Sequence, residues 1–238
     1  MPPKPSEKRM QHFREMLAYD QAHLGFGASL AGMDEVGRGP LVGDVVTACV
    51  ILPAEPVFPW MDDSKKLSAV RREEVYAQIM EHALYVGIGR ASAREIDEMN
   101  ILNATRLAME RAAQDASATL CIVDAVRGLH LPFPVIPIIR GDATSYHVAA
   151  ASIVAKVTRD RQMAEYAKQY PQYGFDHNMG YGTAEKVLCD VCIEHAELKL
   201  SFDCTVLNIS FCRICKWKFG AVCTLWCKRK YLHIKTTQ

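Results

Sequence analysis

Short apolar runs alternate with helical patterns along most of this chain, and that alternation restricts it to a layered α/β fold. Residues 45–52, 84–91, 120–123 and 135–139 have the length and composition of strands, and 45–52 is apolar enough to predict burial on both faces. Between them, apolar spacing predicts helices over 6–24 (Met10, Phe13, Met16, Leu17), 69–83 behind a Ser68 cap, 100–116, and 147–170 up to Pro171. Ser92 and Glu95 have the form of a capping box opening a short helical turn. Residues 174–182 read as a glycine-bearing loop, and Thr183 is placed to cap a final helix toward Glu197. The expected organisation is an N-terminal amphipathic helix and lead-in (1–30), a main domain (31–182), and a C-terminal helix with a tail (183–238).

Acids fall at the ends of three of the expected strands: Asp34 and Glu35, Asp124, and Asp142. A single acid at a strand end is usually a turn residue. In open α/β sheets, however, strand ends gather side chains from distant positions into one crevice. Four carboxylates sharing a crevice repel one another unless cations hold them. Ligation by oxygen alone selects hard ions such as Mg²⁺ or Mn²⁺. Two such ions stabilise the attacking and leaving oxygens of an in-line phosphoryl displacement. The first acidic pair runs directly into Gly37-Arg38-Gly39, a permissive backbone that suits a site where a metal and a phosphate must both come close.

Composition adds two asymmetries. The net charge is only +1, yet residues 199–238 hold eight Lys or Arg against a single acid, Asp203. A basic end of this kind suits a polyanion partner or an unstructured tail. Of the nine cysteines, Cys49 and Cys121 lie alone in apolar runs as small buried hydrophobes, while seven crowd into the last fifty residues. An odd total without a secretion signal argues against a disulfide framework. The N-terminus leads into a polar helix, and no apolar run is long enough to span a bilayer. The expectation is an untargeted cytoplasmic protein with no membrane contact.

Seven pieces of the chain, in order, resemble the ribonuclease HII family, the type 2 ribonucleases H. They are Gly32-Met-Asp-Glu-Val-Gly-Arg-Gly-Pro-Leu, Asp63-Ser-Lys-Lys-Leu, Ile96-Asp-Glu-Met-Asn-Ile-Leu-Asn-Ala-Thr, Val123-Asp, Arg140-Gly-Asp, Ala149-Ala-Ala-Ser-Ile-Val-Ala-Lys-Val-Thr-Arg-Asp and Gly180-Tyr-Gly-Thr. Together they span about residues 31–185. The resemblance implies a ribonuclease H-like fold with a central mixed β-sheet flanked by helices. It implies a monomeric, Mg²⁺- or Mn²⁺-dependent endonuclease that cuts the RNA strand of RNA–DNA hybrids. It also implies incision 5′ of ribonucleotides embedded in duplex DNA, by a two-metal-ion hydrolysis leaving 3′-hydroxyl and 5′-phosphate ends.

By position, Asp34, Glu35, Asp124 and Asp142 match the family's catalytic and metal-binding acids. Gly37, Arg38 and Gly39 match the turn whose backbone approaches the ribose 2′-hydroxyl, the group that separates RNA from DNA. Tyr181 matches the tyrosine that packs on the sugar and base at the RNA–DNA junction. Ser64, Lys65 and Lys66 match phosphate-backbone contacts, and Thr144, Ser145 and Lys156 match polar positions near the substrate.

The chain departs from the family pattern in three places. Ala125 follows Asp124 where Gly is frequent, and Arg140 stands where Lys is common. Near Val187 composition shifts abruptly, and Leu198-Lys199-Leu200-Ser201-Phe202 lacks the family's His, Arg and Gly-Pro. Cys189-x-x-Cys192 and Cys212-x-x-Cys215, nineteen residues apart, have the spacing of a four-cysteine zinc site. The other reading is a tail translated out of the ancestral frame, its cysteines incidental. The competing functional class is accordingly a nucleic-acid-binding protein whose nuclease core is impaired by this altered C-terminus.

Overall fold

A computed structural model describes residues 5–23, 29–55 and 57–181. The expected final helix, the basic tail and the candidate zinc ligands Cys189, Cys192, Cys212 and Cys215 lie outside the described residues. The fold is a five-stranded mixed sheet in the order β3-β2-β1-β4-β5, where β1 is Leu30–Val36, β2 Val45–Ile51, β3 Tyr85–Ala91, β4 Leu120–Asp124 and β5 Val135–Ile138. β1, β2 and β3 form an antiparallel meander, and β4 and β5 extend it in parallel from β1. Every residue of β2, the strand flanked on both sides by long neighbours, is buried.

The helices cover both faces. α1 (Glu7–His23), α2 (Ala69–His82) and the 24-residue α5 (Tyr146–Gln169) share a core with Ala48 and Val50 on one face of the sheet. α3 (Ala93–Met99) leads into α4 (Ile101–Ala112), whose Met109 and Ala112 pack with Met33, Cys49 and Cys121 on the other. Cys49 and Cys121 are free and buried. Although α1 precedes the family-like segment, its Phe13 and Met16 are part of the main core. Among the described residues no helix is long and apolar enough to cross a membrane.

Local chemistry sets the helix starts. Ser68 accepts from Arg71 N, and Ser92 with Glu95 forms a reciprocal capping box at the start of α3. Asn100, expected as the first residue of a helix, is instead the cap between α3 and α4, with φ 72 and its side chain accepting from the Leu102 and Asn103 amides. α4 ends at Ala112 rather than 116, because from Gln114 onward the bonds shorten to i→i−3 turns. The expected loop at 174–182 contains a one-turn helix, α6 (Phe175–Asn178), bracketed by left-handed Gly174 and Met179 and anchored by the buried Phe175.

Two backbone features have measurable consequences. Gly87 and Gly89 on β3 lie directly under α4: a Cβ at Gly89 would fall 1.8 Å from the Ala108 carbonyl oxygen, and one at Gly87 1.9 Å from that of Ala112. Because the opposing atoms are backbone, Gly89→Ala must push α4 off the sheet. The expected cost is about 3 kcal/mol, read as a drop of roughly 6–12 °C in Tm by thermal denaturation. Ala125, by contrast, holds φ 48, a left-handed conformation that costs a side-chain-bearing residue about 1–2 kcal/mol. Ala125→Gly is expected to raise Tm by a few degrees, roughly 2–4 °C per kcal/mol gained.

Candidate active site

Strand register brings the first two acids together. Met33 pairs with Val123 across β1 and β4, so Asp34 and Asp124 follow side by side at the ends of adjacent parallel strands. Asp142 is not at a strand end as expected. β5 stops at Ile138, Arg140 takes a left-handed conformation (φ 58), and Asp142 sits on the 3-10 turn Gly141–Ala143 that follows. This turn is fastened back to β4, where Asp124 Oδ1 accepts from Gly141 N at 2.8 Å. One carboxylate oxygen from each of Asp34, Asp124 and Asp142 lies within 4.8 Å of the others.

Burial and mutual repulsion dominate the electrostatics of this cluster. Asp34 is 5% exposed; desolvation first, then the charges of Glu35 and Asp124, hold its carboxyl well above the ordinary range, against the Glu35 N hydrogen bond and the polar Ser152 side chain. Asp142 is raised by desolvation, then by Asp63 and Asp124, with Lys65 opposing. Lys65 Nζ lies 3.9 Å from Asp142 Oδ2. Burial alone would lower the Lys65 ammonium, but Asp142, Asp63, Asp34 and Asp124 outweigh it and raise it.

Glu35 stands slightly apart. Strand alternation turns it away from Asp34, and its Oε1 accepts from Arg38 Nη1 at 2.9 Å. Burial raises its carboxyl while the Arg38 hydrogen bond and charge oppose. Its other oxygen, Oε2, is buried with no hydrogen-bond partner among the described residues. An orphaned carboxylate oxygen beside three crowded acids fits a divalent-cation site: the donors are all hard oxygens, and added positive charge relieves each strain at once.

A loop pair borders the acids. Gly37 adopts φ 105, and the Tyr181 ring lies so close to Gly39 that a Cβ there would meet it at 3.3 Å. Leu41 N donates to Gly180 O at 2.9 Å, joining the two loops. Tyr181 keeps 53% of its surface exposed. Beneath them lies Arg159 of α5, only 1% exposed, donating Nη2 to Val42 O (2.8 Å), Nη1 to Met179 O (2.9 Å) and Nε to Asp44 O (3.4 Å). Desolvation lowers its pKa, but a guanidinium starts so high that it stays charged. The guanidinium is thus a clip between residues 42–44, which follow the Gly37–Gly39 turn, and Met179, which leads into the Tyr181 loop.

The remaining expected residues separate into two groups. Lys65 is exposed at the mouth of the cluster, and Lys66, also exposed, pairs with Asp62 at 3.2 Å. Thr144 Oγ1 donates to Arg140 O, and Lys156 pairs with Asp160. Ser64 and Ser145, expected to face the substrate, are instead buried: Ser64 Oγ accepts from Ser152 Oγ at 2.9 Å, and Ser145 caps α5 by accepting from Val148 N. Their hydroxyls hold the walls of the site.

Three residues next to the site were not singled out from sequence. Ser152, bonded to Ser64, lies beside Asp34 and lowers its carboxyl, Asp63 raises the Asp142 carboxyl, and Arg159 clips the loops. The sequence signal for Ser152 is a single hydroxyl within the otherwise apolar Ala149–Ala155 run.

The comparisons with known proteins agree with this geometry. A family model described as Ribonuclease HII matches residues 31–189. The ribonuclease HII of Enterococcus faecalis is 50% identical over 185 residues, covering 76% of this chain and 72% of that protein. Its counterpart from Bacillus thuringiensis (strain Al Hakam) is 48% identical over 183 residues, covering 76% and 71%. Among solved structures, the ribonuclease HII of the PCNA:RNase HII complex from Archaeoglobus fulgidus superposes with TM-score 0.57 at 25% identity, covering 66% of this chain and 83% of that one. Ribonuclease H2 from Pyrococcus horikoshii gives TM-score 0.55 at 28% identity, covering 66% and 82%. Sheet, acids and relatives therefore converge: the chain belongs to the ribonuclease HII family and is a metal-dependent ribonuclease H, a hydrolase acting on the RNA of RNA–DNA hybrids.

Proposed function

We propose that this chain incises duplexes on the 5′ side of ribonucleotides, both within RNA–DNA hybrids and singly embedded in DNA, using Asp34, Glu35, Asp124 and Asp142 to hold Mg²⁺ or Mn²⁺. The observation that carries this reading is the convergence of three carboxylates within 4.8 Å beside a glycine turn packed on an exposed tyrosine. Cations bound there would offset charge on the scissile phosphate and activate the attacking water, leaving 3′-hydroxyl and 5′-phosphate ends.

The chain's own residues do the positioning. Glu35 N orients Asp34 by donating to its Oδ1, and Gly141 N orients Asp124 in the same way. Gly37 makes the turn possible, because its φ of 105 is a conformation that only glycine adopts freely, and it brings Arg38 and Gly39 to the surface where a ribose 2′-hydroxyl would approach. Tyr181 offers an aromatic face, which accepts any base and therefore suits recognition of the sugar rather than the sequence. Lys65, exposed and already attracted to the acids, is placed to exchange that partner for a backbone phosphate. The intact and gathered acids favour hydrolysis over a binding-only role.

A duplex carrying one ribonucleotide tests the reading directly, with incision expected 5′ of that residue in Mg²⁺ or Mn²⁺. Binding without incision by the unaltered protein would refute it. Asp34→Asn is expected to lower kcat by about a thousandfold, the equivalent of roughly 4 kcal/mol of lost stabilisation. The same change should stabilise the metal-free fold. Because the folded-state carboxyls of Asp34, Glu35 and Asp142 are raised, their ionisation opposes folding above those values, and the penalty is relieved as pH falls through them. In EDTA at neutral pH, Asp34→Asn should therefore melt above the unaltered protein, and added Mn²⁺ should close or reverse the gap. Tyr181→Ala is expected to reduce kcat/KM by about ten- to a hundredfold, from loss of roughly 1–3 kcal/mol of stacking, with Tyr181→Phe retaining most activity in steady-state assays.

A further inference from the structure

α1 reaches the active site through one carboxylate. Asp20, 2% exposed, uses a single oxygen, Oδ2, to accept from both His147 N (3.0 Å) and His147 Nδ1 (2.7 Å). The carboxylate can only accept when ionised, so the ring hydrogen is assigned to Nδ1. The bonded amide belongs to the first turn of α5, where backbone N–H groups have no partner within their own helix. Ser145 satisfies the next one, at Val148. Asp20 is thus a second cap on α5, supplied from another helix 127 residues away in sequence and carrying a charge that suits the positive end of a helix.

What this cap holds matters more than the helix itself. His147 lies five residues beyond Asp142, and the turn between them is closed by bonds from Thr144 N and Ser145 N to Gly141 O. On its other side His147 presses on β1: a Cβ at Gly32 would fall 2.1 Å from the His147 carbonyl carbon, two residues before Asp34. A second α1 residue, Phe13, packs edge-on against Tyr146 with ring centroids 5.8 Å apart. The point fixed by Asp20 is therefore where the Asp142 turn and the Asp34 strand meet.

On the reading that these acids bind divalent cations, we infer that Asp20 is a positioning residue for the metal site. From α1, outside the family-matched segment, it sets through His147 the spacing between Asp34 and Asp142. The motif-bearing core would then depend on the N-terminal helix for the geometry of its metal site as well as for stability. Loss of a group that hydrogen-bonds a metal ligand directly commonly costs about ten- to a hundredfold in metal affinity; Asp20 acts one step further back, through His147, so the lower end of that range is expected.

The test is Mn²⁺ binding by isothermal titration calorimetry, without substrate and well below Tm, on the full chain and on Asp20→Ala and Asp20→Asn. Asp20→Ala should weaken Mn²⁺ binding by about tenfold and lower kcat with little change in duplex KM. Asp20→Asn, whose amide oxygen keeps the acceptor position, should recover most of both. Should Asp20→Ala not fold, His147→Ala, which leaves the backbone contact with Gly32 in place, is expected to weaken Mn²⁺ binding by a smaller, still measurable factor. Unchanged Mn²⁺ affinity in the folded variants, with only Tm lowered, would show that the contact is a brace for the fold and overturn the inference. Absence of Mn²⁺ binding by the unaltered protein would instead overturn the four-acid reading, and the inference with it.

Discussion

Three carboxylates crowded into a buried crevice cannot all be ionised at low cost, and much of the structure follows from that repulsion. Register places Asp34 and Asp124 side by side, and a bond from Gly141 draws the Asp142 turn onto them. The surroundings soften the conflict without removing it. Two backbone amides donate to the acids, the Ser152 hydroxyl lies beside Asp34, Arg38 pairs with Glu35, and Lys65 leans toward Asp142. Even so, Asp34, Glu35 and Asp142 remain raised. A site that is complete only when cations enter is expected to look like this, with charge stored against the fold and released on binding.

Such stored repulsion has to be offset elsewhere. α5 supplies a large share, because its alanines at 149, 150, 151 and 155 are fully buried and let the helix lie close against the sheet. The closest approach is at Gly32, where any side chain would strike the helix backbone. Small residues on the helix and glycine on the strand thus serve two ends together. They give the tight packing that stabilises the domain, and they bring the start of α5 to within reach of the acids.

The elements legible in the sequence were those governed by local chemistry. Ser68, Ser92 with Glu95, and the apolar run of β2 specify their own caps and burial, and the structure places them accordingly. The elements that were not legible depend on partners far along the chain. Arg159 and Asp20 lie in helical patterns where a charge ordinarily marks a solvent face. Only the fold shows Arg159 meeting the carbonyls of Val42, Asp44 and Met179, and Asp20 meeting His147. The capping role of Ser145 is likewise not legible: a hydroxyl beside an acid resembles a substrate contact until the helix it caps is seen. The acids themselves were legible through their motifs, whereas the displacement of Asp142 onto a 3-10 turn was not, because β5 stops two residues before the left-handed Arg140.

One helix ties the acids to the loops beside them. The first turns of α5 carry the cap and the Ser152 hydroxyl that shape the acidic cluster, and Arg159, two turns further on, clips the glycine turn to the tyrosine loop. At 1.5 Å per residue, Ser152 and Arg159 are separated by on the order of 10 Å along a rigid rod. The distance between the acids and the glycine–tyrosine pair is therefore set by helix geometry rather than by loop conformation. Arginine suits the clip better than lysine because its planar fork can hold several carbonyls at fixed angles while keeping its charge when buried. A lysine there would offer three donors on a flexible stem, and the two loops would lose their shared reference. On the proposed reading of the site, selection of a ribose and placement of the phosphate to be cut would be one structural property, carried by α5.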